Sequence, residues 1–177
     1  MNSMILTAIG SDQLGIVSEL SGIIVHHGGN IEESRMSQMG SDFAIIMLIK
    51  VDPKWYESLV VALQTIKGLS VTTKRTKSST IVTNENYQIL LNGADNEGII
   101  NVLSNYLNKK NMNILDMETY VSNAPVTGTP LFNLKAIVAF HEEKKISDIK
   151  SDLDEISKRL GIEIVVFESE PFTEKNS

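Results

Sequence analysis

The feature that most constrains this chain is that it repeats. Gly10-Ser11-Asp12-Gln13-Leu14-Gly15-Ile16-Val17 returns 83 positions later as Gly93-Ala94-Asp95-Asn96-Glu97-Gly98-Ile99-Ile100. In each copy a hydrophobic run leads in, at residues 5–9 and 87–92. An apolar helical pattern then leads out to Asn30-Ile31 and Asn113-Ile114 without a gap. A repeat of this period is long enough to be a small domain, and a chain of 177 residues holds two of them. The expected organisation is a first domain over residues 1–78, a linker over 79–86, a second domain over 87–169 and a disordered tail over 170–177. The linker assignment rests on a polar stretch rich in Ser and Thr, and the tail on its acidic, polar composition.

Within the first copy, residues 5–9 read as a central strand ending at Gly10. Residues 15–27 read as a helix with Ile16, Val17, Leu20, Ile23 and Ile24 on one face, stopped by Gly28-Gly29. Residues 30–39 form a strand with no cleanly apolar face, which suits a sheet edge. Simple alternation puts Ile31, Glu33, Arg35, Ser37 and Met39 on one side and Glu32, Ser34, Met36 and Gln38 on the other. After the Gly40-Ser41-Asp42 turn, residues 43–49 make a second central strand. Asp52-Pro53 starts a helix with Trp55, Tyr56, Leu59, Val60, Leu63 and Ile66 in its stripe, and Gly68 ends it. Residues 69–76 close the unit as a strand.

The second copy follows the same order. Its differences are a longer hairpin loop over residues 123–130 and a last helix whose Ile146, Ile149, Leu153, Ile156 and Leu160 step by three and four. Strand, helix, strand, strand, helix, strand is a split βαβ unit. The expected fold class is α+β, two ferredoxin-like βαββαβ domains, each a four-stranded antiparallel sheet with two helices on one face.

Charge and residue inventory narrow the function. Through Thr80 the acids and bases are seven each, while from Ile81 fifteen acids face nine bases, so the whole net charge of −6 lies in the second half. That argues against broad nucleic-acid binding, and the Lys74-Arg75-Thr76-Lys77 cluster reads as a solvated strand exit. With no cysteine and three histidines there is no thiolate metal site, disulfide or cysteine nucleophile. His26 and His27 read as helix-cap or surface residues, and His141 before Glu142-Glu143 as a solvated turn. No metal and no cofactor is expected. No apolar run is long enough to span a bilayer, and the start of the chain lacks the pattern of a secretory leader, which points to the cytoplasm.

No catalytic constellation stands out. The sequence has no G-x-S-x-G and no nucleotide loop with a lysine. The carboxylate pairs Asp12 with Glu33 and Asp95 with Asp116 are suggested only by topology, so the expectation is a protein that is not an enzyme. What remains is the loop after the first strand, twice over. A glycine-lined turn into a helix start offers amide hydrogens to a carboxylate, and Asp12 or Asp95 can answer an ammonium, which together describe an amino-acid site. The same residues also serve as a tight connection in which Asp12 caps the helix through the amides of the Gly15-Ile16-Val17 turn. Both readings stand on the residues alone.

Gly10-x-Asp12-x-x-Gly15-Ile16-Val17, followed by Leu20 and Gly29-Asn30-Ile31, resembles the signature of the ACT domain, a small ligand-binding regulatory module. Two copies and little else resemble the glycine cleavage system transcriptional repressor family. The stretch Asn30-Ile31-Glu32-Glu33-Ser34-Arg35 and residues 43–48 are especially similar to its first domain. The family usually carries proline just before the second motif glycine, where this chain has Leu14 and Glu97.

The resemblance implies a regulator that binds glycine, serine or another small amino acid between ACT units. It would alter transcription by contacting a separate protein regulator instead of DNA, with a ligand-independent interaction adaptor as the alternative. Ligand-binding candidates are Gly10, Asp12, Gln13, Leu14, Gly15, Ile16, Asn30 and Ile31. The second copy offers Asp95, Asn96, Gly98, Asn113 and Ile114, where Glu97 adds a negative charge. Mixed edge strands in small domains point to a homodimer.

Overall fold

In the computed structural model residues 2–77, 86–140 and 146–169 are described, and they fall into two compact units divided between Ser79 and Thr80. The expected linker, apart from Asn86, the whole expected tail and the turn at His141-Glu142-Glu143 lie outside the described residues.

In the first unit β1 (Asn2–Ser11) leads through α1 (Ile16–His26) to β2 (Asn30–Met39) and β3 (Asp42–Val51). A short 3-10 turn (Pro53–Trp55), α2 (Tyr56–Leu63) and β4 (Leu69–Thr76) complete it. The antiparallel sheet has the order β2-β3-β1-β4, so the two most hydrophobic strands are central and the mixed β2 is an edge. Met4, Leu6 and Ala8 of β1 and Ile45, Met47 and Ile49 of β3 point to one face. There they meet Leu20 and Ile24 of α1 and Leu59 and Leu63 of α2 in a single core.

α1 stops where the sequence says it should. Gly28 takes a φ of 64°, its N–H donates to the Val25 carbonyl and that of Gly29 to Ile24, both at 2.9 Å, which is the Schellman arrangement. His27 Nδ1 sits 2.8 Å from the Ile23 carbonyl, a cap contact when that nitrogen carries the proton.

The second unit repeats the design with β5 (Asn86–Ala94), α3 (Ile99–Lys109), β6 (Met112–Asn123), β7 (Pro130–Phe140), α4 (Ile146–Leu160) and β8 (Ile162–Ser169). Its sheet order is β6-β7-β5-β8. Tyr87, Ile89 and Leu91 face Leu103, Leu107, Ile149 and Leu153 across its core. Asn111 takes the place of Gly28, one period on, and carries the left-handed φ of 54° that ends α3.

Three expectations need correction. The alternation assigned to β2 fails because the register shifts between Ile31 and Glu33, and β6 has the same shift between Ile114 and Asp116. The extra residue, Glu32 or Leu115, puts Ile31 on the core side with Met36, and Ile114 on the side of Met117. The second helix is shorter than its apolar spacing suggests. It ends at Leu63, where Thr65 Oγ1 and N–H both turn back to the Ala62 carbonyl, so Ile66 is buried from the connection after the helix; at the other end Trp55 lies in the 3-10 turn and is 45% exposed. The apolar faces are also narrower than the spacing suggests: Val17 of α1 is exposed, and of Ile99, Ile100, Leu103, Tyr106 and Leu107, which helical spacing puts on the inward face of α3, Ile100 is exposed.

Candidate functional site

The β1–α1 loop begins with a close approach. A Cβ on Gly10 would lie 1.9 Å from the Gly68 carbonyl oxygen, so the glycine lets β1 run against the turn before β4. Gly10 is therefore a packing residue. Gln13 also lies over that turn, with its amide nitrogen 3.1 Å from where a Gly68 Cβ would be.

The loop then turns into α1 at Gly15, whose φ of 90° and ψ of −6° are left-handed, in open space. Asp12 does not cap the helix: the N-cap is Gly15 and no side chain bonds there. The Asp12 N–H reaches the Ser41 carbonyl at 3.4 Å, which anchors the loop to the β2–β3 hairpin. Its carboxylate has no hydrogen bond or ion pair among the described residues. The Ile16 N–H turns back to Gln13 at 3.4 Å, so it drops out of the expected donor set. The amides of Val17 and Ser18 stay without backbone acceptors, as the first turn of a helix dictates.

These groups surround a cleft of about 310 Å³ lined by Asp12, Gln13, Leu14, Gly15 and Ile16 together with Val17, Ser18 and Phe43. Leu14 projects fully into solvent. Phe43 was not a sequence candidate. It enters because β3 pairs it with Gly10, directly beneath the loop.

Asn30 and Ile31 do not join this cleft within the unit. Asn30 pairs with Lys50, seven residues along β3 from Phe43, so they lie at the opposite end of the sheet. There Asn30 Nδ2 donates to Glu32 at 2.7 Å and Lys50 Nζ donates to the same carboxylate at 2.7 Å. The Lys50 hydrogen bond, followed by that of Asn30, holds Glu32 below its ordinary pKa. Ile31 packs on the core. The carboxylate pairs also separate. Glu33 is bonded to Arg35 at 2.7 Å opposite Leu48, away from Asp12, and Asp116 lies opposite Ile137 while Asp95 is tied to Pro130. No group of three or more metal-ligating side chains occurs among the described residues.

The second loop has the same backbone. Gly98 has a φ of 85° and a ψ of 3°, and the Asp95 N–H reaches the Pro130 carbonyl at 3.4 Å. Its cleft, about 520 Å³, is lined by Asn96, Gly98 and Ile99 with Ile100, Asn101, Ser104, Asn105 and Phe132. Asp95 is not part of the lining, nor is Glu97, and the polar groups there are neutral amides and a hydroxyl. Asn113 and Ile114 again sit at the far end, opposite Ala139 and Val138. Phe132 pairs with Gly93 as Phe43 does with Gly10. A Cβ on Gly93 would fall 2.4 Å from Ile162 Cγ2, so this glycine too is fixed by packing.

Comparison with known proteins agrees with this architecture. The ACT domain profile matches residues 2–74. The glycine cleavage system transcriptional repressor of Escherichia coli (strain K12) is 39% identical over 46 residues, which are 26% of this chain and 24% of that protein. The match thus spans about a quarter of the repressor's length. A protein of unknown function from Galdieria sulphuraria superposes with a TM-score of 0.82 at 30% identity, over 95% of this chain and 98% of its own. A candidate glycine cleavage system transcriptional repressor superposes with a TM-score of 0.67 at 17% identity, over 95% and 97% of the two chains, and shows the same fold. Residues 2–74 thus match an ACT domain, and the second unit repeats the split βαβ topology of the first with the same motif loop at the start of α3.

Proposed function

We propose that this is an amino-acid-responsive regulatory protein, without catalytic activity of its own, that acts on transcription indirectly through a partner regulator, glycine cleavage genes being the first candidates. The observation that carries the reading is the first loop. Free amides at the start of α1 and the unpartnered Asp12 carboxylate border one small cleft, a complement to the carboxylate and ammonium of a small zwitterion such as glycine or serine. The far placement of Asn30 and Ile31 fits a ligand held between ACT units, with the loop of one unit and the β2 start of another contributing, and therefore fits a homodimer. The acidic second half accords with contact to a protein instead of DNA.

Calorimetric titration with glycine and serine first, then the other common amino acids, tests the reading. Saturable heat with thermal stabilisation, weakened about tenfold by Asp12→Asn, is expected. Absence of both with every amino acid turns the reading to a ligand-independent adaptor. The fully exposed Leu14 at the loop tip, an apolar side chain that a protein partner would cover, favours that second reading. Light scattering that gives a particle of about 20 kDa, near the chain's own 19.6 kDa, at all micromolar concentrations would remove the dimer.

A further inference from the structure

The helical face of the second unit carries a different cleft, about 390 Å³, between α3 and α4. Its floor is apolar and aromatic. Ile156 is buried, and Val102 and Tyr106 are half-buried against the core. Its walls are charged, with Lys109, Lys110 and Arg159 set against Asp152 and Glu155.

The charges are not equally available. Asp152 accepts from Lys110 Nζ at 2.5 Å and from Tyr106 Oη at 3.2 Å. The Lys110 hydrogen bond holds its carboxyl below the ordinary range against the opposing effect of burial. Burial first, then the Asp152 charge, holds the Tyr106 phenol above its usual value and so neutral. Lys110 is thus engaged with Asp152, and its ammonium also lies 5.7 Å from the centre of the Tyr106 ring. The side chains of Lys109 and Arg159 make no hydrogen bond or ion pair among the described residues, and Glu155 is the one carboxylate of the lining besides the engaged Asp152. In a half that carries the chain's whole negative charge, this cleft has a local excess of cation over an apolar floor. One period earlier the positions of Val102, Tyr106 and Lys109 hold Glu19, Ile23 and His26, so the arrangement belongs to the second copy alone.

We infer that the α3–α4 cleft of the second unit binds a small organic carboxylate with an apolar or aromatic body, its anionic end held by Arg159 and Lys109 and its body lying on Val102, Tyr106 and Ile156. Guanidinium suits this role because its planar fork takes a carboxylate in two parallel hydrogen bonds. The volume lies within the range of small-molecule sites. The inference is independent of the amino-acid reading of the first loop, since no residue is shared.

Amide chemical-shift titration of the full chain with benzoate, benzyl alcohol and inorganic phosphate tests it. Saturable benzoate shifts at Val102, Tyr106 and Ile156 are expected, with benzyl alcohol and phosphate each much weaker. Arg159→Gln and Lys109→Gln each weaken benzoate binding about fivefold. Glu155→Gln tightens it, an increase that loss of structure would not produce. Asp12→Asn leaves it unchanged. No benzoate shift in these residues, equal binding of benzyl alcohol or of phosphate, or indifference to the Arg159 and Glu155 changes overturns the inference.

Discussion

The loops Asp12 to Val17 and Asp95 to Ile100 are one backbone written twice with different chemistry. Both hang from a strand glycine that permits close packing, both bond their aspartate N–H to the hairpin opposite at 3.4 Å, and both enter the helix through a left-handed glycine. The first cleft keeps a free carboxylate, whereas the second is lined by asparagine amides and a serine. Backbone geometry therefore belongs to the fold, and any selectivity for a charged ligand to the side chains set on it. The sequence favours the first loop through the added charge of Glu97, yet Glu97 does not line the second cleft; what tells the two apart is that Asp12 lines its cleft and Asp95 does not.

If the backbone is common to both, its glycines should behave alike in the two copies. The largest effect is expected from Gly10→Ala, whose Cβ collides with the backbone of Gly68, at about 3 kcal/mol. Gly93→Ala meets the Ile162 side chain first and costs about 2 kcal/mol. Urea unfolding followed by Trp55 fluorescence for the first unit and by amide signals of β7 for the second reads each separately; a negligible cost at either position breaks the parallel. Gly15→Ala and Gly98→Ala have room for the methyl group and lose only backbone freedom at positive φ, about 1–2 kcal/mol each and equal within error. A clear inequality would mean that the two loops differ in more than side chains.

The helical faces sharpen the contrast, since the Tyr106–Asp152–Lys110 group is found in the second unit alone. The folded pKa of Asp152 is depressed, so its stabilisation is complete above the unfolded value of about 3.9 and is lost as pH falls through the lower folded value. Asp152→Asn should weaken the second unit by under about 1 kcal/mol at neutral pH, the pair being partly exposed, with the difference from wild type vanishing in acid. A deficit that persists at low pH would assign the loss to packing instead. Smallest of all, Asn111→Gly should gain about 0.5 kcal/mol in thermal unfolding by relieving the left-handed φ that Gly28 adopts freely in the first copy.

Much of this was legible from the residues. The continuous apolar run at residues 5–9 locates β1, three-to-four spacing locates α1, α3 and α4, and the mixed composition of residues 30–39 marks β2 as an edge. The bulges at Glu32 and Leu115 were not legible, because a bulge is a property of pairing with β3 or β7, and one extra residue reverses every face assignment beyond it. The end of α2 was missed for a related reason: Ile66 keeps the apolar spacing of a helix while being buried from a turn. The loop candidates from Asp12 to Ile16 do share one cleft, whereas Asn30 and Ile31 do not, since adjacency to the motif in sequence becomes the far end of an antiparallel strand in space. Phe43 could have been found by aligning the repeats past their unequal hairpins, where it matches Phe132.

A crystal structure determined at high glycine concentration tests the central claim most directly. The account predicts ligand density in the first cleft, with the carboxylate toward the amides at the start of α1 and the ammonium toward Asp12, and an empty second cleft at Gly98. Equal density in both clefts, or density in neither at saturating glycine and serine, would contradict it.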